Sequence, residues 1–167
     1  PLDFAELQNQ YSELQTKLEI VYNKYDYVIQ YTDDYITKTR GLDLTTKDGW
    51  GSDAPIFLND FYQEFNIELK APQFKNIGYW FRPRVILELS LIKKTILETT
   101  NKDMRDFFFV AMSEIIRLVS NRRNGEFKMF RMPPEKVAKF NPDTKQEFLK
   151  ILERNIGKIS DFIDAYD

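Results

Sequence analysis

Phe4, Leu7, Tyr11, Leu14, Leu18, Val21, Tyr25 and Val28 recur at alternating spacings of three and four residues, and this period constrains the fold more than any other feature of the chain. It lines one side of an α-helix with a seam that must be buried against another helix. The pattern predicts a first helix from about Asp3 to beyond Ile29, with Glu6, Gln8, Gln10, Glu13, Gln15, Lys17 and Glu19 on its solvated side. Tyr22, Tyr25, Tyr27, Tyr31 and Tyr35 continue the same segment. Rings packed in the core with hydroxyls at its rim explain them better than stacking on bases.

The period stops at Thr37 to Pro55, where Gly41, Gly49, Gly51 and Pro55 mark an external loop. Its Gly-Trp-Gly-Ser-Asp stretch lacks the Lys-Ser/Thr of a phosphate-cradling loop, and no GxGxxG occurs. Ile56 to Leu69 reads as a short helix closed by Ala71-Pro72, and Gln73 to Pro83 as an extended lead-in to the next one. Arg84 to about Leu97 is a third helix, with Val85, Ile86, Leu89, Ile92 and Ile96 inward and Lys93 and Lys94 outward. Thr100 followed by Asp103 resembles a capping box that opens a fourth, running to Ser120. That helix is apolar around much of its girth, through Phe107, Phe108, Val110, Ala111, Ile115, Leu118 and Val119, so it is expected at the centre of the bundle. Glu126 to Met132 is a short, ambiguous extended segment, Glu135 to Phe140 a helical turn or two, and Asn141-Pro142 the cap of a final helix from Asp143 to about Tyr166. The resulting fold class is mainly α: about five helices in an irregular bundle, a long N-terminal helix, at most one short β segment, and residues 1–167 as one domain.

A chain of 167 residues buries roughly 70% of its unfolded surface, enough for a core without disulfides or metal. Zero Cys removes thiolate nucleophiles and zinc-thiolate sites, and zero His removes the commonest general base and metal ligand and every Ser-His-Asp arrangement. None of the six serines has a nucleophile-elbow context, and Asp33-Asp34 stands without a second acidic pair at helical spacing. No catalytic or cofactor-binding residue is therefore expected. No apolar run approaches a membrane span, and the start Pro-Leu-Asp-Phe has no signal-peptide character. The expectation is a cytoplasmic protein, and the absence of an initiator Met points to a processed chain or an excised piece of a longer one.

The net charge of -2 conceals a segregation: residues 1–70 hold 6 Lys/Arg against 13 Asp/Glu, residues 71–139 hold 14 against 7, and residues 140–167 hold 4 against 6. Such asymmetry favours a polyanion on one face. Its densest part is Arg117, Arg122, Arg123, Lys128, Arg131, Lys136 and Lys139, seven cations within 23 residues alongside only Glu126 and Glu135. Asn121 and Asn124 add amides suited to phosphates or base edges. The candidate DNA contacts are thus Arg117, Asn121, Arg122, Arg123, Asn124, Lys128 and Arg131. Cations at a helix C-terminus also complement its dipole, and Arg82 and Arg84 could equally be paired with the acidic N-terminal helix.

The segments YWFRPRVILELSLIKKTI (residues 79–96) and DMRDFFFVAMSEIIRLVSNRRNGEFKMFRM (residues 103–132) resemble the central region of restriction-modification type DNA methyltransferases that modify an exocyclic amino group. The resemblance covers residues 79–134 and is most specific in SNRRNGEFK. It implies a largely helical insertion between the cofactor and catalytic motifs, S-adenosylmethionine in the parent enzyme, and double-stranded DNA and the remaining catalytic domain as partners. The departures are as informative. Nothing matches a Gly-rich DPFCGSGT-like motif, and Met132-Pro133-Pro134-Glu135 lacks the aromatic that follows Pro-Pro in the motif that holds a flipped base. The chain itself is therefore expected to bind no cofactor and to methylate nothing. The alternative reading is a helical protein–protein module, self-associating through its long seam or bracing another domain without touching nucleic acid.

Overall fold

The N-terminal seam folds as one unbroken helix, α1 (Phe4–Arg40), longer than its period alone indicates. The computed structural model describes residues 3–46, 50, 53–123, 125 and 127–166. Asp3 starts α1 by accepting the amides of Ala5 and Glu6 at 3.0 and 3.3 Å. Gly41 ends it in the left-handed region (φ 63°), donating its N–H to the Thr37 carbonyl. The remaining helices are α2 (Ala54–Glu64), α3 (Ile77–Trp80), α4 (Pro83–Leu97), α5 (Lys102–Leu118), α6 (Pro134–Lys139) and α7 (Thr144–Tyr166). The five long ones are those the apolar periods indicate, and α3 and α6 are single turns between them. The β content of the described residues is an isolated antiparallel bridge between Arg122 and Arg131.

Leu7, Leu14 and Leu18 of α1 are buried as the seam requires, and the buried stripe continues as Ile29, Thr32 and Ile36. The partners of α1 are α4, α7 and α2, so the seam is covered from within the chain. Tyr22 and Tyr35 place their hydroxyls on Glu88 and Glu64 at the rim, while Tyr27 is exposed and stacks on Tyr31.

The centre of the bundle is α4 and not α5, a correction to the sequence expectation. Ten of the 15 residues of α4 are buried, and it packs against α1, α5 and α7. On α5 the buried face is Met104, Phe108, Ala111, Met112 and Ile115, while Val110, Ile116 and Leu118 face solvent. The apolar girth of α5 is thus only partly spent on the core of this chain.

Two caps move by a residue or two. Asn101, not Thr100, caps α5 by accepting the Met104 amide at 3.2 Å. Asp143, not Asn141, starts α7 by accepting the Gln146 amide at 3.1 Å, and Asn141 accepts from Arg84 at 2.7 Å instead. Nor is the connection after α1 wholly external. Leu44, Trp50, Ala54 and Pro55 are buried, and the Trp50 indole donates to the Phe81 carbonyl at 3.2 Å. A Cβ on Gly78 would lie 2.7 Å from the Trp50 carbonyl oxygen, so the turn of α3 can approach this strand of chain only as glycine. Gly49, Gly51 and Ser52 lie outside the described residues.

The lead-in predicted as extended over Gln73 to Pro83 contains the helical turn α3, and Phe81 and Arg82 are extended beside Pro83. Asp33 of α1 then fixes the start of α4. Its carboxylate takes the Arg84 amide at 2.8 Å and pairs with the Arg82 Nε at 2.9 Å. Both arginines are consumed internally: Arg82 also donates to the Phe140 carbonyl at 2.6 Å, and Arg84 to Glu88 and to the Pro142 carbonyl.

Candidate nucleic-acid interface

The basic segment after α5 forms a hairpin. Met132 donates its N–H to the Asn121 carbonyl at 2.8 Å, Arg123 donates to the Phe130 carbonyl at 2.7 Å, and Arg122 faces Arg131 across the bridge. Between the two arms, Gly125 takes φ 82°, a backbone state that costs glycine little and other residues more. Ser120 closes the end of α5 by donating to the Arg117 carbonyl at 2.8 Å.

The stalk is pinned to α3. The Asn121 amide N–H donates to the Trp80 carbonyl at 2.7 Å, and its side-chain nitrogen reaches the Tyr79 carbonyl at 3.4 Å. Arg131 donates its Nε to the same Tyr79 carbonyl at 2.8 Å and its Nη1 to the Thr45 carbonyl at 2.9 Å. Its guanidinium carbon sits 5.1 Å from the Tyr79 ring centroid, within range of a cation–π contact. Desolvation lowers the Arg131 pKa from its ordinary value, although a guanidinium remains protonated at neutral pH.

The seven sequence candidates therefore separate by position. Asn121 is buried at 1% exposure, so it does not present its amide to a ligand on the surface, and Arg131 is bound to backbone oxygens. Both are positioning residues of the stalk. Arg122 is half-buried, whereas Arg117, Arg123 and Lys128 are exposed. Asn124 lies outside the described residues. Lys136 and Lys139 are exposed on α6.

The basic composition did not signal the apolar character of the tip. Phe127 is fully exposed, and Met129 and Phe130 are 62% and 48% exposed. In sequence Phe127 and Met129 alternate within a short, ambiguous extended segment; here those residues lie exposed beyond the bridged stalk.

Elsewhere a concavity of about 890 Å³ runs between α1, the start of α4 and the link from α6 to α7. It is lined by the Asp33–Arg82 pair, Arg84, Glu88 and Tyr22. Burial raises the Glu88 pKa against the opposing pull of Arg84, and burial together with the Glu88 carboxylate raises the Tyr22 phenol. Arg82, Arg84, Glu88 and Tyr22 are joined to one another or to Asp33 and neighbouring carbonyls, so these side chains clamp helices together. No group of three or more metal-ligating side chains occurs among the described residues, and no helix there is long and apolar enough to cross a membrane.

Among curated proteins, the Type II methyltransferase M.MvaI of Kocuria varians is 46% identical over 95 residues, which is 56% of this chain. The match makes a segment of the chain methyltransferase-related. It spans about a fifth (21%) of that protein's length. No family model matches the chain, and no solved structure does.

Proposed function

We propose that this chain is a DNA-facing helical part of an S-adenosylmethionine-dependent DNA methyltransferase, and that the hairpin tip beyond the Asn121–Met132 pair lies on the phosphate backbone. The observation that carries this reading is a pair of exposed cations, Arg123 and Lys128, on a hairpin whose stalk is held by hydrogen bonds to α3. Phosphate contacts gain from such fixing, since they set register and orientation on the duplex. Arg117 at the end of α5 extends the same basic surface, with the half-buried Arg122 behind the tip, and Asn124 stays a candidate contact from the sequence. Similarity to a type II methyltransferase supports DNA as the polyanion.

The chemistry belongs to other parts of such an enzyme. Pro133 and Pro134 open α6 as its cap and first-turn residue, followed by Glu135, which does not suit a motif that stacks an aromatic ring on a base. The residues present do not fit S-adenosylmethionine either, because no Gly-rich loop occurs for it. No step of methyl transfer is assigned to this chain.

Fluorescence anisotropy with a labelled duplex at low and moderate salt tests the reading. Binding that weakens with salt, and weakens further in Arg123→Ala with Lys128→Ala, is the expected result. Affinity that ignores both salt and the double substitution would falsify it. A second reading, bracing of another domain, is favoured by an apolar groove of about 170 Å³ lined by Phe74, Ile77, Phe81, Leu89, Met112 and Ile116. In that case the double substitution leaves DNA binding unchanged while Phe74→Asp or Ile116→Asp lowers the solubility or activity of the full-length enzyme.

A further inference from the structure

Phe127 is the most exposed of the large apolar side chains among the described residues. Tyr27 stacks on Tyr31 at 5.6 Å, and Phe162 packs on Tyr166 at 4.6 Å, each next in sequence to an exposed aspartate, Asp26 or Asp161. Phe127 is fully exposed, makes no ring contact among the described residues, and sits beyond the bridged stalk next to the exposed Lys128, on a hairpin whose other arm carries the exposed Arg123 opposite Phe130. From Asn121 to Met132 the chain carries four cations (Arg122, Arg123, Lys128 and Arg131) against Glu126. An apolar tip set in positive charge is matched to an occupant with an anionic exterior and an apolar, stackable interior. A nucleic-acid duplex has that construction, whereas a hydrophobic protein partner would not require the cations.

We infer that Phe127 is a wedge: when the tip is seated on duplex DNA, its ring inserts between adjacent base pairs and partly unstacks them. This rests on the DNA reading above and goes beyond it, since phosphate contacts alone leave the stack intact. A phenyl ring offers no hydrogen bond to base edges, so its gain comes from its π-face and apolar area, as with the Phe, Leu and Met side chains that kink duplexes elsewhere. The pinned stalk supplies the leverage. Asn121 and Arg131 hold the arms against Tyr79 and Trp80, so the ring meets the duplex from a fixed base. Met129, beside it, is placed to follow the ring into the opened step.

The test uses the 167-residue chain and needs no knowledge of a recognition sequence. A closed-circular plasmid relaxed by a type I topoisomerase in the presence of the protein records any untwisting as a shift in linking number. The wild type is expected to shift the topoisomer distribution. Phe127→Ala is expected to abolish the shift and to weaken duplex affinity about tenfold, with the salt dependence of binding kept. Phe127→Trp restores both, and Phe162→Ala changes neither. Because Phe127 lies outside the core, far-UV circular dichroism and melting temperature should match the wild type in both variants at this position. Salt-dependent binding with no linking shift, or with a shift that survives Phe127→Ala, overturns the wedge and leaves the phosphate contacts standing, the apolar tip then belonging to a protein contact. Absence of salt-dependent binding overturns both.

Discussion

Arg131 donates to backbone oxygens of two segments far from it in sequence, Tyr79 and Thr45, and lies over the Tyr79 ring. Replacing it with alanine strands those carbonyls and removes the packing of its stem. Arg131→Ala is expected to cost about 2 kcal/mol in urea unfolding. Arg131→Lys should recover only part of that, because an ammonium cannot span both acceptors as the planar fork does. Glu88 is a different case, since burial raises its carboxyl pKa above the ordinary value even beside Arg84. The unfolded chain then releases this proton at lower pH than the folded one. The contribution of Glu88 to stability therefore falls as pH rises from its unfolded pKa to its raised folded pKa, and stays constant above that. Relative to wild type, Glu88→Gln should thus gain stability across that window, read as a melting-temperature difference that widens with pH and then levels. A difference that narrows would show that the pairing with Arg84 outweighs the burial.

At the scale of elements, the periods of three and four located the five long helices, with α2 ending at Glu64 where Leu69 was expected, but misplaced the centre. The apolar residues of α5 suggested burial all round, yet Val110 is 62% exposed while Ile92 of α4 is fully buried. The difference lies in what pairs with what. The polar Glu88 and Thr95 of α4 are buried because Glu88 is matched by Arg84 and Tyr22, and Thr95 donates to the Leu91 carbonyl at 2.8 Å. Pairings of this kind join residues that no local pattern relates, such as Tyr22 with Glu88. The same reason limits what could be read of the hairpin: its charge was evident, but the contacts of Asn121 and Arg131 with Tyr79 and Trp80 cross some 40 to 50 positions. Ile92→Ala should cost roughly 2–5 kcal/mol, and Val110→Ala less than about 0.5 kcal/mol, in equilibrium denaturation. Comparable costs would return α5 to the centre of the bundle.

For the molecule as a whole, charge and fold together decide how strongly a polyanion is held. The middle of the chain has a surplus of seven positive charges, 14 Lys/Arg against 7 Asp/Glu in residues 71–139, and taken at face value it would give a steep salt dependence. The fold removes part of that surplus from use. Arg82 is paired with Asp33, which lies outside this stretch, and Arg131 is turned onto carbonyls. On the proposed hairpin surface the exposed cations are Arg117, Arg123 and Lys128. Each phosphate neutralised on duplex DNA contributes about 0.9 to the slope of log affinity against log salt, so three contacts give a slope near about -3. Arg123→Ala with Lys128→Ala should bring it to about -1, because two of the three contacts are lost. Titrations of the chain against a duplex at several salt concentrations measure the slope directly. A wild-type value near about -6 would mean that Lys136, Lys139 and other cations share the duplex, widening the interface from the hairpin tip to the face that α6 presents.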